Sequence, residues 1–137
     1  MNSWREELQD VIKSKTEREA EEQERKRRRI AEALEVADVA MVQSLEALRF
    51  AAGELSQKGQ GPKLAEQSGE AHFELHGQTV DLTLDREVAV VKISYNQGRP
   101  REFDFATDRH LAPKDVEEYV GRRLVELSRA VQKEHPW

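Results

Sequence analysis

Ile30, Leu34, Ala37, Met41, Leu45, Leu48, Ala52 and Leu55 recur at steps of three and four residues. On a helix this spacing gathers them onto one narrow arc, which must pack against something. The stretch from Lys13 to Arg29 just before it is almost entirely charged or polar, with Ala20 its single apolar residue. One continuous helix therefore carries two opposite characters, a solvated arm and an adhesive segment.

The bounds of that helix are readable. Ser3 followed by Glu6 fits a capping box that starts it at Trp4. No proline interrupts it before the cluster Gly59, Gly61 and Pro62. Unbroken from Trp4 to Lys58 it spans about 80 Å at 1.5 Å per residue, too long to wrap inside a small domain. Glu21 with Arg25, Glu22 with Lys26 and Glu24 with Arg28 stand four apart with the acid first. That order supports an exposed helix by about 0.2–0.5 kcal/mol per pair.

From Gly59 to Glu70 the composition turns to Gly, Gln, Ser and Pro, which reads as a linker. The apolar period then changes from helical to two. Ala71, Phe73 and Leu75, then Val80, Leu82 and Leu84, then Ala89, Val91, Ile93 and Tyr95, then Phe103 and Phe105 alternate with polar residues. Turns at Gly77-Gln78, Arg86-Glu87 and Asn96 to Pro100 make this a four-stranded antiparallel meander. Two-residue loops pair Leu75 with Val80 and Leu82 with Val91, and a five-residue loop pairs Ile93 with Phe103. A final helix opens at Pro113, where a missing N–H costs nothing, and carries Val116, Val120, Leu124, Leu127 and Val131 on one side.

The expected architecture is thus α+β. A long N-terminal helix, forming a coiled coil or bundle, precedes a four-stranded antiparallel β-meander packed on a C-terminal helix. The organisation is 1–58 as charged arm plus oligomerisation segment, 59–70 as linker, and 71–137 as a ββββα domain. A unit of that size is near the limit of stability for a single core, and the segment from Ile30 to Leu55 is its natural support. In the segment from Ile30 to Leu55, 17 of 26 residues are hydrophobic, so one seam does not account for them all. Val39, Val42 and Phe50 fall outside it.

Read as a heptad, the stripe places Leu34, Met41, Leu48 and Leu55 at one core position and Ala37, Ser44 and Ala51 at the other. The expected oligomer interface is therefore Ile30, Leu34, Ala37, Met41, Leu45, Leu48, Ala52 and Leu55. Arg25-Lys26-Arg27-Arg28-Arg29 is the sharpest charge feature and a candidate contact for phosphate or an acidic partner. Five consecutive residues radiate around a helix, however, and no aromatic residue is interleaved for base stacking. On the outer sheet face, Glu74, Asp81, Lys92 and Asp104 are expected to form a cross-strand row with His72 and His76 nearby. The two histidines are four residues apart on a strand, about 13 Å, and cannot share one zinc ion. Val88, Val90 and Ala106 are expected to form a small outward apolar spot, and Trp4 and Trp137 are candidate anchors.

The charge of −5 divides as −3 over residues 1–70 and −2 over 71–137, so neither half is an electrostatic magnet for nucleic acid. Nucleic acid remains an alternative partner through the basic run only. Without cysteine there is neither a disulfide framework nor a thiolate metal site. No apolar signal region or membrane-spanning run is apparent, which favours a cytoplasmic protein without membrane partners. None of the seven serines lies in a nucleophile elbow, and phosphate- or dinucleotide-binding glycine patterns are absent. The expectation is a non-enzymatic interaction module without cofactor or metal, a homo-oligomeric adaptor or scaffold that also binds another protein. The alternative readings are a small acidic chaperone and a nucleic-acid-associated protein.

Overall fold

The computed structural model describes residues 3–137, so the first two positions of the 1–58 segment lie outside the described residues. Helix α1 runs unbroken over Trp4–Gln57, 54 residues. It is followed by β1 (Lys63–Gln67), β2 (Glu70–Leu75), β3 (Gln78–Asp85), β4 (Val90–Tyr95) and β5 (Arg101–Asp104), and by α2 (Pro113–Glu134). The five strands form one antiparallel sheet in sequential order. The α+β class, the long first helix, the antiparallel meander and the last helix all stand, with one strand more than the sequence pattern suggested.

That extra strand is β1, in the segment whose composition reads as a linker. Lys63-Leu64-Ala65-Glu66-Gln67 offers little alternation, because it is an edge strand in which Leu64 is the one half-buried residue. Its backbone pairs with β2, Leu64 opposite Phe73 and Ala65 opposite His72. Residues 63–67 of the 59–70 segment are therefore sheet, joined to α1 by a short turn through Gly59 and Gly61.

Helix α1 starts at Trp4 after Ser3, but no side-chain capping bond forms there, so the Ser3–Glu6 box is not made. Its end is sharply defined. Gly59 takes φ +74°, its N–H donates to the Ser56 carbonyl at 2.9 Å, and the Gln60 N–H donates to the Leu55 carbonyl at 3.0 Å. This is a Schellman stop, in which the left-handed residue is glycine because a Cβ there is strained. At α2, Pro113 occupies the first turn and the Ala112 N–H donates to the Asp115 carboxylate at 2.8 Å, satisfying an otherwise free donor.

Each hairpin is offset by two residues from the expected register. Leu75 pairs with Gln78, so the first turn is His76-Gly77, both at positive φ, and Phe73 lies opposite Val80. Leu82 pairs with Ile93 across a four-residue loop, Arg86 to Ala89, and Val91 pairs with Phe103. A two-residue offset preserves the side-chain period, so the faces are as expected although the partners differ. On the inner face, Leu64, Phe73, Val80 and Tyr95 form one row, Ala71, Leu82 and Ile93 a second, and Leu84, Val91 and Phe103 a third.

Both helices pack on this inner face and on each other in a single core. From α2 come Val116, Val120, Leu124, Leu127 and Val131, all buried. From α1 come Ala33, Ala37, Ala40, Met41, Leu48 and Leu55. Small residues at 33, 37, 40 and 44 let the α1 backbone approach its neighbours closely, and Ser44 is fully buried among them. Two bidentate ion pairs tie α1 to the sheet from outside. Arg49 donates to Glu66 of β1 at 2.8 and 3.1 Å, and Arg86 of the β3–β4 loop donates to Asp38 at 2.8 and 3.3 Å. In both, the hydrogen bond to the carboxylate, followed by its charge, holds the guanidinium pKa above its usual value.

Candidate interaction surface

The expected oligomer interface lies mostly inside the chain's own core. Ala37, Met41, Leu48 and Leu55 are buried, and Ile30, Leu34, Leu45 and Ala52 are half-buried against the same cluster. The sheet gained a fifth strand and α2 lies alongside α1, so the covering surface is wider than the sequence pattern implied. Most of the stripe expected to meet a second copy is thus covered by the chain's own sheet and α2. The physical reason is intrachain burial, which leaves Ala37, Met41, Leu48 and Leu55 almost no surface to share and Ile30, Leu34, Leu45 and Ala52 only part of theirs.

What remains uncovered lies elsewhere on α1. No residue from Trp4 to Arg29 is buried, a rod of about 40 Å at 1.5 Å per residue. Near its start Trp4, Leu8, Val11 and Ile12 are 68%, 49%, 65% and 55% exposed. Steps of four, three and one residue put them on one side of the helix. On the outer face of the packed half, Val36, Val39, Val42 and Phe50 are also exposed. Of these eight, Trp4, Val39, Val42 and Phe50 stand out in the sequence and Leu8, Val11, Ile12 and Val36 do not, although Trp4, Leu8 and Val11 share a helical spacing.

No protein-family model matches this chain, and no curated protein or solved structure is significantly similar to it.

A second apolar surface is a groove of about 590 Å³ between α1 and α2, on the side away from the sheet. Ala47, Phe50, Leu55, Leu124, Val125 and Trp137 supply its apolar lining, and Glu46, Glu54, Glu117 and Arg129 stand among them. Trp137 thus sits against the helix pair rather than apart from it. The groove is not legible in the sequence because Val125 falls outside the buried stripe of α2 and Phe50 outside that of α1.

The basic run does radiate. Arg28 approaches Glu24 at 3.5 Å, whereas Arg25 donates to the main-chain carbonyl of Glu21 at 3.5 Å and not to its carboxylate. All five cations, Arg25, Lys26, Arg27, Arg28 and Arg29, are exposed, and they do not form one face.

On the outer sheet face the expected row of Glu74, Asp81, Lys92 and Asp104 is not formed, because of the two-residue offset. Glu74 faces Thr79 and Lys63, Asp81 faces His72 and Ser94, and Lys92 faces Thr83 and Glu102. Glu74 and Asp81 therefore do not stand directly opposite each other as like charges. His72 Nδ1 makes a short hydrogen bond to Asp81, and its Nε2 is 3.9 Å from Glu74. His76, at the turn, stacks on His135 with ring centroids 4.2 Å apart. Among the described residues no cluster of three or more metal-ligating side chains occurs. Val90 is buried rather than outward-exposed, while Val88 is 45% exposed and Ala106 half-buried. Among the described residues no helix is long and apolar enough to cross a membrane.

Proposed function

We propose that this chain is a non-enzymatic interaction module that assembles with itself through α1 and presents its compact body as an adaptor or scaffold. The observation that supports this reading is the exposed rod from Trp4 to Arg29, tipped by Trp4, Leu8, Val11 and Ile12. An isolated helix of this length gains little from its own backbone bonds, and its ion pairs add only tenths of a kcal/mol. A Trp, Leu, Val and Ile cluster held about 27–40 Å from the core gains burial only from another molecule.

Light scattering on the full chain at micromolar concentration tests this. The expected mass is twice that of the 15.8 kDa chain or more. A single-chain mass at the highest soluble concentration would overturn the reading.

The groove between α1 and α2 favours a second reading, in which the same body shelters an apolar client segment, as a small acidic chaperone does. Val125→Glu, at the exposed groove lining, separates the two. Loss of client binding with unchanged mass supports the chaperone reading, and loss of neither argues against it.

A further inference from the structure

The exposed apolar residues of α1 fall into two sets, one near each end of a charged middle. Trp4 and Val11 are seven apart, and Val39 stands four further sevens along. Leu8 and Val36 are likewise separated by four sevens. Taken together, Trp4, Leu8, Val11, Val36 and Val39 occupy alternate three- and four-residue steps of one heptad seam, and each is exposed. The same seam passes through Lys15, Arg18, Glu22, Arg25, Arg29 and Glu32 in the middle. It is distinct from the buried stripe and lies on the side of the packed half that faces away from the sheet. In a straight helix a seven-residue repeat drifts about 20° per heptad, and left-handed supercoiling around a partner removes the drift.

The charges on the seam decide who the partner is and which way it runs. In a parallel pairing of two copies every seam residue meets itself, giving Lys15 on Lys15, Arg18 on Arg18, Glu22 on Glu22 and Arg25 on Arg25. In an antiparallel pairing each first-position residue faces a fourth-position residue of the other copy. One alignment then matches Leu8 and Val11 with apolar partners and most of the charges with opposite ones, and leaves Trp4 opposite Gln43. Leu8 meets Val39 of the second copy, Val11 meets Val36, Lys15 meets Glu32, and Glu22 meets Arg25. Beside the seam, Glu19 meets Lys26 and Glu21 meets Arg28. The acidic block of residues 17–24 lies along the basic run of residues 25–29 in both directions. Arg18 opposite Arg29 is the one like-charge pair in the seam. Sliding the alignment by one heptad sets Lys15 against Arg25 one way, or Glu22 against Glu32 the other.

We infer that two copies of this chain associate through an antiparallel pairing of their α1 helices, residues 4–43 of one along residues 43–4 of the other, with the twofold axis beside Gln23 and Glu24. This rests on the self-assembly reading and deepens it. The paired length is about 60 Å, and the two bodies sit at opposite ends on the rod. The basic run then has an occupant in the partner's acidic block. Like charges in a parallel arrangement exclude that orientation, the same use of charge that sets orientation in coiled coils generally.

The chain has no cysteine, which makes cross-linking decisive. Leu8 and Val39 are 31 positions apart on one helix, about 46 Å, so they cannot bridge within a chain. The full-length double variant L8C/V39C is expected to give a covalent dimer on mild oxidation, while L8C alone and V39C alone stay unlinked. Glu22→Arg is expected to abolish the dimer mass at low ionic strength, and adding Arg25→Glu to restore it. Self-linking of L8C alone, or a dimer mass without cross-linking in the double variant, would overturn this pairing and leave self-assembly standing. A single-chain mass for the unmodified chain would overturn both.

Discussion

The two halves of α1 share one unbroken ladder of backbone hydrogen bonds and almost nothing else. From Ala33 to Leu55 the helix loses seven side chains to the interior, several of them to complete burial, and is braced by Arg49–Glu66 and Asp38–Arg86. From Trp4 to Arg29 it loses none, and a single acid–base contact, Glu24–Arg28 at 3.5 Å, lies along it. The difference teaches that helix length and helix stability have separate sources here. Packing holds the second half, whereas the first half depends on propensity, side-chain pairs and whatever it touches outside its own chain.

The largest expected effect breaks that comparison from the packed side. Leu48→Ala removes a fully buried side chain from the contact of α1 with the sheet and α2. It is expected to destabilise the chain by about 2–5 kcal/mol in urea unfolding. Leu8→Ala, on the arm, removes the same atoms from a half-exposed site. Measured at concentrations where the chain is monomeric, it is expected to change stability by less than about 0.5 kcal/mol. Comparable losses for both variants would mean that the arm is packed in solution within its own chain.

This contrast also marks what was legible in the sequence. The charged stretch from Lys13 to Arg29 announced a solvated helix, and the α2 stripe announced its buried face, because both signals are local. Strand faces were legible for the same reason, since Phe73, Val80, Leu82, Val91 and Ile93 alternate with polar neighbours. The register was not. It depends on which residues take positive φ, and His76 does so at the first turn while Gln78 is already in β3. β1 carried no alternation to detect. The stripe from Ile30 to Leu55 reads as adhesive, and its length points to a second copy, whereas most of it packs in the chain's own core. Spacing shows that a face is apolar, and only tertiary structure shows how much of it the rest of the chain covers.

The next effect tests the boundary where α1 stops. Gly59 holds φ +74° with nothing within 4 Å of where a Cβ would stand, so the cost of a side chain there is backbone strain rather than a clash. Gly59→Ala is expected to cost about 1–2 kcal/mol by thermal or chemical unfolding. Because the turn at Gly59 aims β1 along β2, the loss should appear in hydrogen exchange at both β1 and the last turn of α1, with the arm unaffected.

Smaller again is the outer sheet face. Lys92 lies 3.9 Å from Glu102 and opposite Thr83, so Lys92→Glu creates a like-charge cross-strand pair with Glu102. The expected loss is about 0.2–1 kcal/mol, and Glu102→Lys in the same chain should restore it. Restoration by Asp104→Lys instead would favour the register expected from the sequence over the one described.

The smallest effect sharpens the comparison at the bracing ion pairs. Arg86 and Asp38 are both substantially exposed, 59% and 49% at the side chain, although their contact is bidentate. Exposed pairs contribute little because water screens them and because holding two long side chains costs entropy. Arg86→Ala is therefore expected to lower the unfolding midpoint only slightly, and by less as salt is raised. If hydrophobic burial is what distinguishes the packed half, that variant should leave hydrogen-exchange protection from Ala37 to Leu48 nearly intact. A collapse of protection there would show instead that the exposed ion pair holds α1 on the sheet, and the contrast between the two halves would then be one of charge placement and not of burial.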